Sequence, residues 1–254
     1  MYLRSRAIVI KNMDYRESDK LVTIFSEHEG KMKAVARGIK KPRSSLRACV
    51  QPFCHSSLFF SRGKGMSLIT QGKLLEFYGN TREDFDRSLY ALYLMELLDK
   101  SLMDGIAIPR LYTTTLEVLS FLNQSGYNPL LIRYFEMSLL VNLGYSPVLD
   151  HCVLCGNKDD LKLFSLPDGG MLCRDCSYQS SGAVSLSKET LALIGFLGRS
   201  RLATVERVRV SNKALKELEY FLEKYLEYYL ERKFNLKKAM SILKRGMPKD
   251  TKLI

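Results

Sequence analysis

Two C-x-x-C pairs, Cys152/Cys155 and Cys173/Cys176, stand seventeen residues apart in a chain of 254 residues. No other feature limits the fold so strongly. Four thiolates in that pattern converge on one ion and force the chain between them into a compact loop. Gly156 and Asn157 follow the first pair, and Pro167, Asp168, Gly169 and Gly170 precede the second, so both knuckles sit beside turn-forming residues. A disulfide or redox reading fits less well. The opening Met-Tyr-Leu-Arg-Ser-Arg holds no apolar leader run, cytosolic thiols stay reduced, and a redox C-x-x-C normally comes singly. His151 abuts Cys152, and because adjacent residues rarely ligate one ion it is left out of the set. Four cysteinates close the coordination shell and leave no position for substrate, so the expected Zn²⁺, one ion, is structural. Cys49 and Cys54 read as small buried hydrophobes.

Chemistry must then lie elsewhere, and charge points upstream. The chain carries 39 basic and 27 acidic side chains, a net of +12. Residues 1–80 hold 15 Lys+Arg against 6 Asp+Glu, so 9 of the 12 excess charges fall in the first third. The densest run is Lys31, Lys33, Arg37, Lys40, Lys41, Arg43 and Arg47, with no acid among them. A solvated face usually mixes signs, so an unmixed cluster favours a polyanion. No apolar run reaches membrane-spanning length, and no amphipathic basic helix or lipidation motif accompanies the charge.

The first eighty residues have strand periodicity. Ala7–Ile10 and Leu21–Phe25 are β-rich runs. From Lys31 the residues alternate, which places Lys31, Lys33, Val35 and Arg37 on one face and Met32, Ala34 and Ala36 on the other. Lys40–Ser45 is a basic loop. Further strands are expected at Ser57–Phe60, Met66–Ile69 and Lys73–Tyr78, with Arg62-Gly63-Lys64-Gly65 as a basic hairpin turn. Short strands at this density suggest a small barrel. The period then becomes helical. Thr81 and Asp84 resemble a capping pair before a stripe from Phe85 to Leu98, a second helix spans Leu111–Asn123, and Asn128-Pro129 opens a third that stops at Gly144. After the cysteines, Ser187 caps a helix through Leu197, and a last one carries Leu215, Leu218, Leu222, Tyr225, Leu226 and Tyr229. The tail beyond Gly246 is expected to fray. The segments are thus 1–80, basic barrel; 81–150, first helical part; 151–178, four-cysteine module; and 179–254, second helical part. The fold class is multidomain α+β.

There is no Walker A pattern, no G-x-G-x-x-G and no nucleophile elbow, and His28, His55 and His151 are the only histidines. Nothing in the sequence calls for an enzyme.

Several stretches together resemble the RecO family of bacterial recombinational repair proteins: Gly30-Lys31 with Lys33–Gly38, Lys41–Ser44, Gln51-Pro52-Phe53, Arg133–Glu136, and Leu143-Gly144-Tyr145 with Pro147. The cysteines place the chain in the zinc-bearing branch. The resemblance implies an N-terminal OB-fold, a helical domain and a zinc insertion. It implies non-catalytic binding of single- and double-stranded DNA, annealing of complementary strands, and loading of recombinase. The partners it implies are RecR and the C-terminal tail of single-strand-binding protein, and the location is cytoplasmic, at the nucleoid during repair. The expected phosphate contacts are Lys31, Lys33, Arg37, Lys40, Lys41, Arg43 and Arg47, followed by Arg62 and Lys64. Two other readings are a zinc-ribbon adaptor that binds acidic proteins or RNA, and a metalloenzyme, which would need an open zinc position.

Overall fold

The computed structural model describes residues 2–41, 44–61, 66–180 and 182–234. Arg43, Arg62, Lys64, the expected hairpin turn and the tail beyond Gly246 lie outside the described residues. The chain packs as two compact units, Met1–Gly126 with Lys233–Ile254, and Tyr127–Arg232. These limits follow packing, whereas the four segments above follow changes in sequence pattern.

In the first unit, β1 (Tyr2–Asp14), β2 (Lys20–Ser26), β3 (Gly30–Ala36), β4 (His55–Ser61) and β5 (Ser67–Glu76) form a barrel in the order β1-β2-β3-β5-β4, closed by pairing of β1 with β4. Only β3 and β5 run parallel. A five-stranded barrel of this kind is the OB architecture. Period-2 alternation sends Ala7, Val9, Val22, Ile24, Ala34, Ala36, Leu58, Phe60 and Ile69 inward. The β3–β4 connection contributes Ile39, Leu46, Cys49, Val50 and Cys54 to the same core through a short 3-10 turn, Ala48–Val50. It therefore plugs one end of the barrel. Cys49 and Cys54 are buried thiols of that plug.

The strands expected at Met66–Ile69 and Lys73–Tyr78 are one strand, β5. Its Gly72 passes over the plug, where a Cβ would stand 3.0 Å from Leu46 Cδ2 and 3.1 Å from Cys49 Cβ. A glycine inside a strand here marks close approach rather than a break.

The barrel is followed by α1 (Gly79–Glu83), α2 (Phe85–Ser101) and α3 (Pro109–Ser125). Asp84 caps α2 by accepting from Arg87 N. Phe85, expected on the apolar stripe, is exposed at that end, and the buried face is Tyr90, Ala91, Tyr93, Leu94, Leu97 and Leu98. The helices cover one wall of the barrel, where Phe25 of β2 meets the Tyr112 ring of α3 edge-on at 5.5 Å. The α2–α3 link docks on β3 through Gly105 N to Lys31 O at 2.8 Å. Gly30 permits this approach: its φ is +68°, and a Cβ there would overlap the Ile106 carbonyl.

In the second unit, α4 (Pro129–Asn142) is capped by Asn128 and buried on every side. A three-stranded sheet, β6 (Leu161–Ser165), β7 (Gly170–Cys173) and β8 (Ala183–Val184), follows in the order β7-β6-β8. Then come α5 (Lys188–Arg199), α6 (Leu202–Val205) and α7 (Asn212–Leu230). Leu218, Leu222, Tyr225 and Leu226 of α7 are buried as the stripe predicts, together with Phe221. Phe164 of β6 packs edge-on against Phe221 at 5.0 Å. No helix among the described residues is long and apolar enough to cross a membrane.

Candidate nucleic-acid interface and metal centre

The plug is amphipathic along its sequence. Its apolar side chains fill the barrel end, which leaves Arg37, Lys40, Lys41 and Arg47 on the outside. Backbone and side-chain bonds fix the loop that carries them. Gly38, at φ +63°, donates its N–H to Asp19 Oδ1 at 2.9 Å, and Lys40 N donates to Ser18 O at 3.2 Å. The Gly38 N–H holds the Asp19 carboxyl below its ordinary range. Arg47 turns back and donates through Nη2 to Lys41 O at 2.8 Å and Lys40 O at 3.2 Å. Arg47 therefore shapes the loop as well as charging it.

The other expected phosphate contacts divide by position. Lys33, Arg37 and Lys41 are exposed. Lys40 is exposed and pairs with Asp14 at 2.9 Å. Lys31 departs from the expected solvent face. Its side chain is 12% exposed, and Nζ donates to Asp99 O at 2.8 Å and approaches Asp104 at 3.5 Å. Val35 on the same face is also buried, and the end of α2 and the α2–α3 link close over Lys31 through Asp99 and Gly105. The β1–β2 connection adds two residues that charge counting alone passed over. Tyr15 and Arg16 are exposed beside the loop, with the guanidinium 5.3 Å from the ring centroid. Their signal in the sequence was an aromatic-basic pair inside an otherwise polar turn. In OB barrels this connection and the strand 2–3 face are where oligonucleotides bind.

The four cysteines converge. One sulfur from each of Cys152, Cys155, Cys173 and Cys176 lies within 4.8 Å of the others, and Cys155 Sγ and Cys173 Sγ are 3.6 Å apart. Four sulfurs held about 2.3 Å from a tetrahedral ion stand roughly 3.8 Å from one another, so the donor set fits one metal ion. Each knuckle is a hydrogen-bonded turn, with Gly156 N to Cys152 O at 2.8 Å and Ser177 N to Cys173 O at 3.0 Å. Cys152, Cys173 and Cys176 are buried with Leu172, and Cys155 is exposed. Crowding by the Cys155 and Cys173 thiols pushes Cys176 up to about 12, and a bound dication reverses that cost. His151 Nδ1 donates to Asp150 Oδ1 at 2.8 Å, outside the cluster.

Comparison with known proteins places this geometry. The family model "Recombination protein O N terminal" matches residues 1–78, and "Recombination protein O C terminal" matches residues 82–238. A protein called DNA repair protein RecO from Syntrophomonas wolfei is 92% identical over 249 residues, covering 98% of this chain and 100% of that protein. Proteins of the same name from Oceanobacillus iheyensis and Desulforamulus reducens are each 35% identical, over 222 and 239 residues and 87% and 93% of this chain. With barrel and helical halves both matched and relatives aligned nearly end to end, the chain belongs to the RecO family of DNA repair proteins.

Proposed function

We propose that the protein is a non-catalytic mediator of recombinational repair that binds single- and double-stranded DNA and anneals complementary strands. With RecR, it helps to load recombinase onto DNA coated by single-strand-binding protein. The observation that carries this reading is the plugged barrel end, where an apolar underside fixes a loop whose exposed charged side chains among the described residues, Arg37, Lys40, Lys41 and Arg47, are all cations. Phosphate contacts are assigned to Lys33, Arg37, Lys40 and Lys41, with Arg43, Arg62 and Lys64 extending them. Tyr15 offers a stacking surface, and Lys31 and Arg47 hold the platform. Fixed cations beside an exposed ring suit sequence-tolerant binding of the backbone.

The metal is assigned as zinc, in a closed four-thiolate shell that braces the second unit. Binding of the acidic tail of single-strand-binding protein draws support from an open groove of about 350 Å³, lined by Met137, Val141, Ile194 and Arg199. An apolar floor with the Arg199 guanidinium at one edge suits a hydrophobic acidic peptide whose charges lie toward Arg199 and away from Asp150, which also lines the groove. The partnership with RecR rests on family membership.

Mixing labelled complementary oligonucleotides with the protein tests the reading. Annealing faster than the spontaneous rate, slowed by Lys40→Glu with Lys41→Glu, is the expected result. Annealing no faster than without protein overturns it.

A further inference from the structure

The helices cover only part of the barrel wall. The first residues of β1, together with β4 and β5, keep an outer surface among the described residues, and pairing puts its side chains in rows. Arg4 stands opposite Phe59, which stands opposite Gln71, and Arg6 opposite Ser57, which stands opposite Lys73. Tyr2, Arg4, Arg6, Gln71 and Lys73 are exposed, and Phe59 is half-buried in their midst. The Arg4 guanidinium lies 5.2 Å from the Phe59 centroid, and its Nε donates to Ser57 Oγ at 3.1 Å. Arg6 is held by Glu27 through bonds of 2.7 and 2.8 Å. Beside them an open depression of about 370 Å³ is bounded by Arg4, Arg6, Glu27, His28, Ser57 and Leu75.

A phenyl ring on a solvent-facing strand keeps apolar surface in contact with water, which is unfavourable unless something covers it. Here the cover is a guanidinium, which also presents a flat cationic surface of its own. Bases stack on aromatic rings and on guanidinium planes alike, and neighbouring cations take the phosphates. A duplex keeps its base faces stacked internally, so the ring favours an unpaired strand. The wall residues Arg4, Arg6, Phe59, Gln71 and Lys73 are distinct from the loop cations Arg37, Lys40, Lys41 and Arg47.

We infer that the outer wall of β1, β4 and β5 is a second single-strand DNA site. Bases stack on Phe59 and Arg4, Lys73 neutralises phosphate, and Arg6, held by Glu27, offers its remaining N–H groups to phosphate oxygens. The inference rests on the annealing function proposed above and gives it a physical basis, since annealing needs two strands held by one molecule. The loop holds one strand and the wall the other.

The test uses the full chain and labelled oligothymidine of about 12 nucleotides, within the roughly 4–16 an OB fold covers. Stoichiometric titration at low salt is expected to give two strands per wild-type chain. It should give one for the Arg4→Ala, Phe59→Leu, Lys73→Ala variant, whose annealing rate falls about tenfold, the scale of one lost base stack. Lys40→Glu with Lys41→Glu should also leave one strand bound. Because the wall variant could misfold, wild-type protein is irradiated with 5-iododeoxyuridine DNA, and the adduct is expected on the peptide carrying Phe59. One strand per wild-type chain, or wild-type annealing by a folded wall variant, overturns the second site while the proposed function stands. No strand bound by the wild type overturns both.

Discussion

Arg133 and Glu136 sit one turn apart on α4 with side chains 6% and 0% exposed, and their charged groups are 3.1 Å from each other. They belong to a stretch that carried the family resemblance, and burial explains what they do there. A helix surrounded by apolar neighbours keeps a charge only if that charge is paired. Arg133 also lies 3.7 Å from Glu219 of α7. Replacing Glu136 by Ala removes the carboxylate 3.1 Å from a buried guanidinium, and should cost about 3 kcal/mol in urea unfolding followed by far-UV circular dichroism. Arg133→Met with Glu136→Leu should recover most of that loss. A Glu136→Ala protein as stable as wild type would mean that the pair is idle. The sequence revealed the motif but not its burial, because the pair's surroundings come from other helices. Lys31 carries the same lesson. Alternation put it on the correct face of β3, but no local pattern records that Asp99 and Asp104 pack over that face.

At the scale of elements, the helix starts were the most legible. Asp84, Asn128 and Ser187, all read as helix-start residues, each accept from a backbone N–H in the first turn of their helix, and Ser211, which the stripe of the last helix did not mark, does the same for α7. Capping depends on residues close in sequence, and this is why it reads through. The cap of α5 also has a partner that sequence does not reveal. Glu217 of α7 accepts from Ser187 N, from Ser187 Oγ at 2.5 Å and from Thr190 Oγ1. Partial burial opposes its charge, but the Ser187 and Thr190 donors outweigh that and hold the carboxyl below its ordinary 4.5. The stabilisation is fully present above pH 4.5 and is lost as pH falls through the lower folded value. Glu217→Gln should therefore lower the melting temperature at neutral pH and flatten its decline in acid. Parallel melting curves for both proteins would refute the assignment. The three-stranded sheet around the cysteines went unforeseen because its strands are only 5, 4 and 2 residues long, too short to display a period.

For the whole molecule, the barrel, the helical character of the remainder and the four-sulfur cluster were all legible, since each rests on spacing within one stretch of chain. The two compact units were not, because the helices that follow the barrel in sequence are shared between it and the second unit. The plug was not legible either. Its apolar residues are scattered among cations, and only barrel closure reveals that they face inward. The metal belongs to the second unit and the basic loop to the first, so the two should separate experimentally. Treatment with a chelator, or Cys173→Ser, should abolish the signal of the proposed zinc in elemental analysis and the thermal transition of the second unit. Single-strand binding by the loop should survive. Loss of DNA binding in step with the metal would place the cysteine module in the interface.

On the proposed function, fixed cations of the barrel plug, with Lys33 of β3 beside it, neutralise DNA phosphates. The most direct test is the slope of log Kobs against log salt for single-stranded DNA, measured on wild type and on the Lys33→Gln, Lys40→Gln, Lys41→Gln variant. Each phosphate contact on a single strand contributes about 0.7 to that slope, so the variant should bind more weakly with a slope shallower by about 2. An unchanged slope would contradict the account and move the DNA site off the plug.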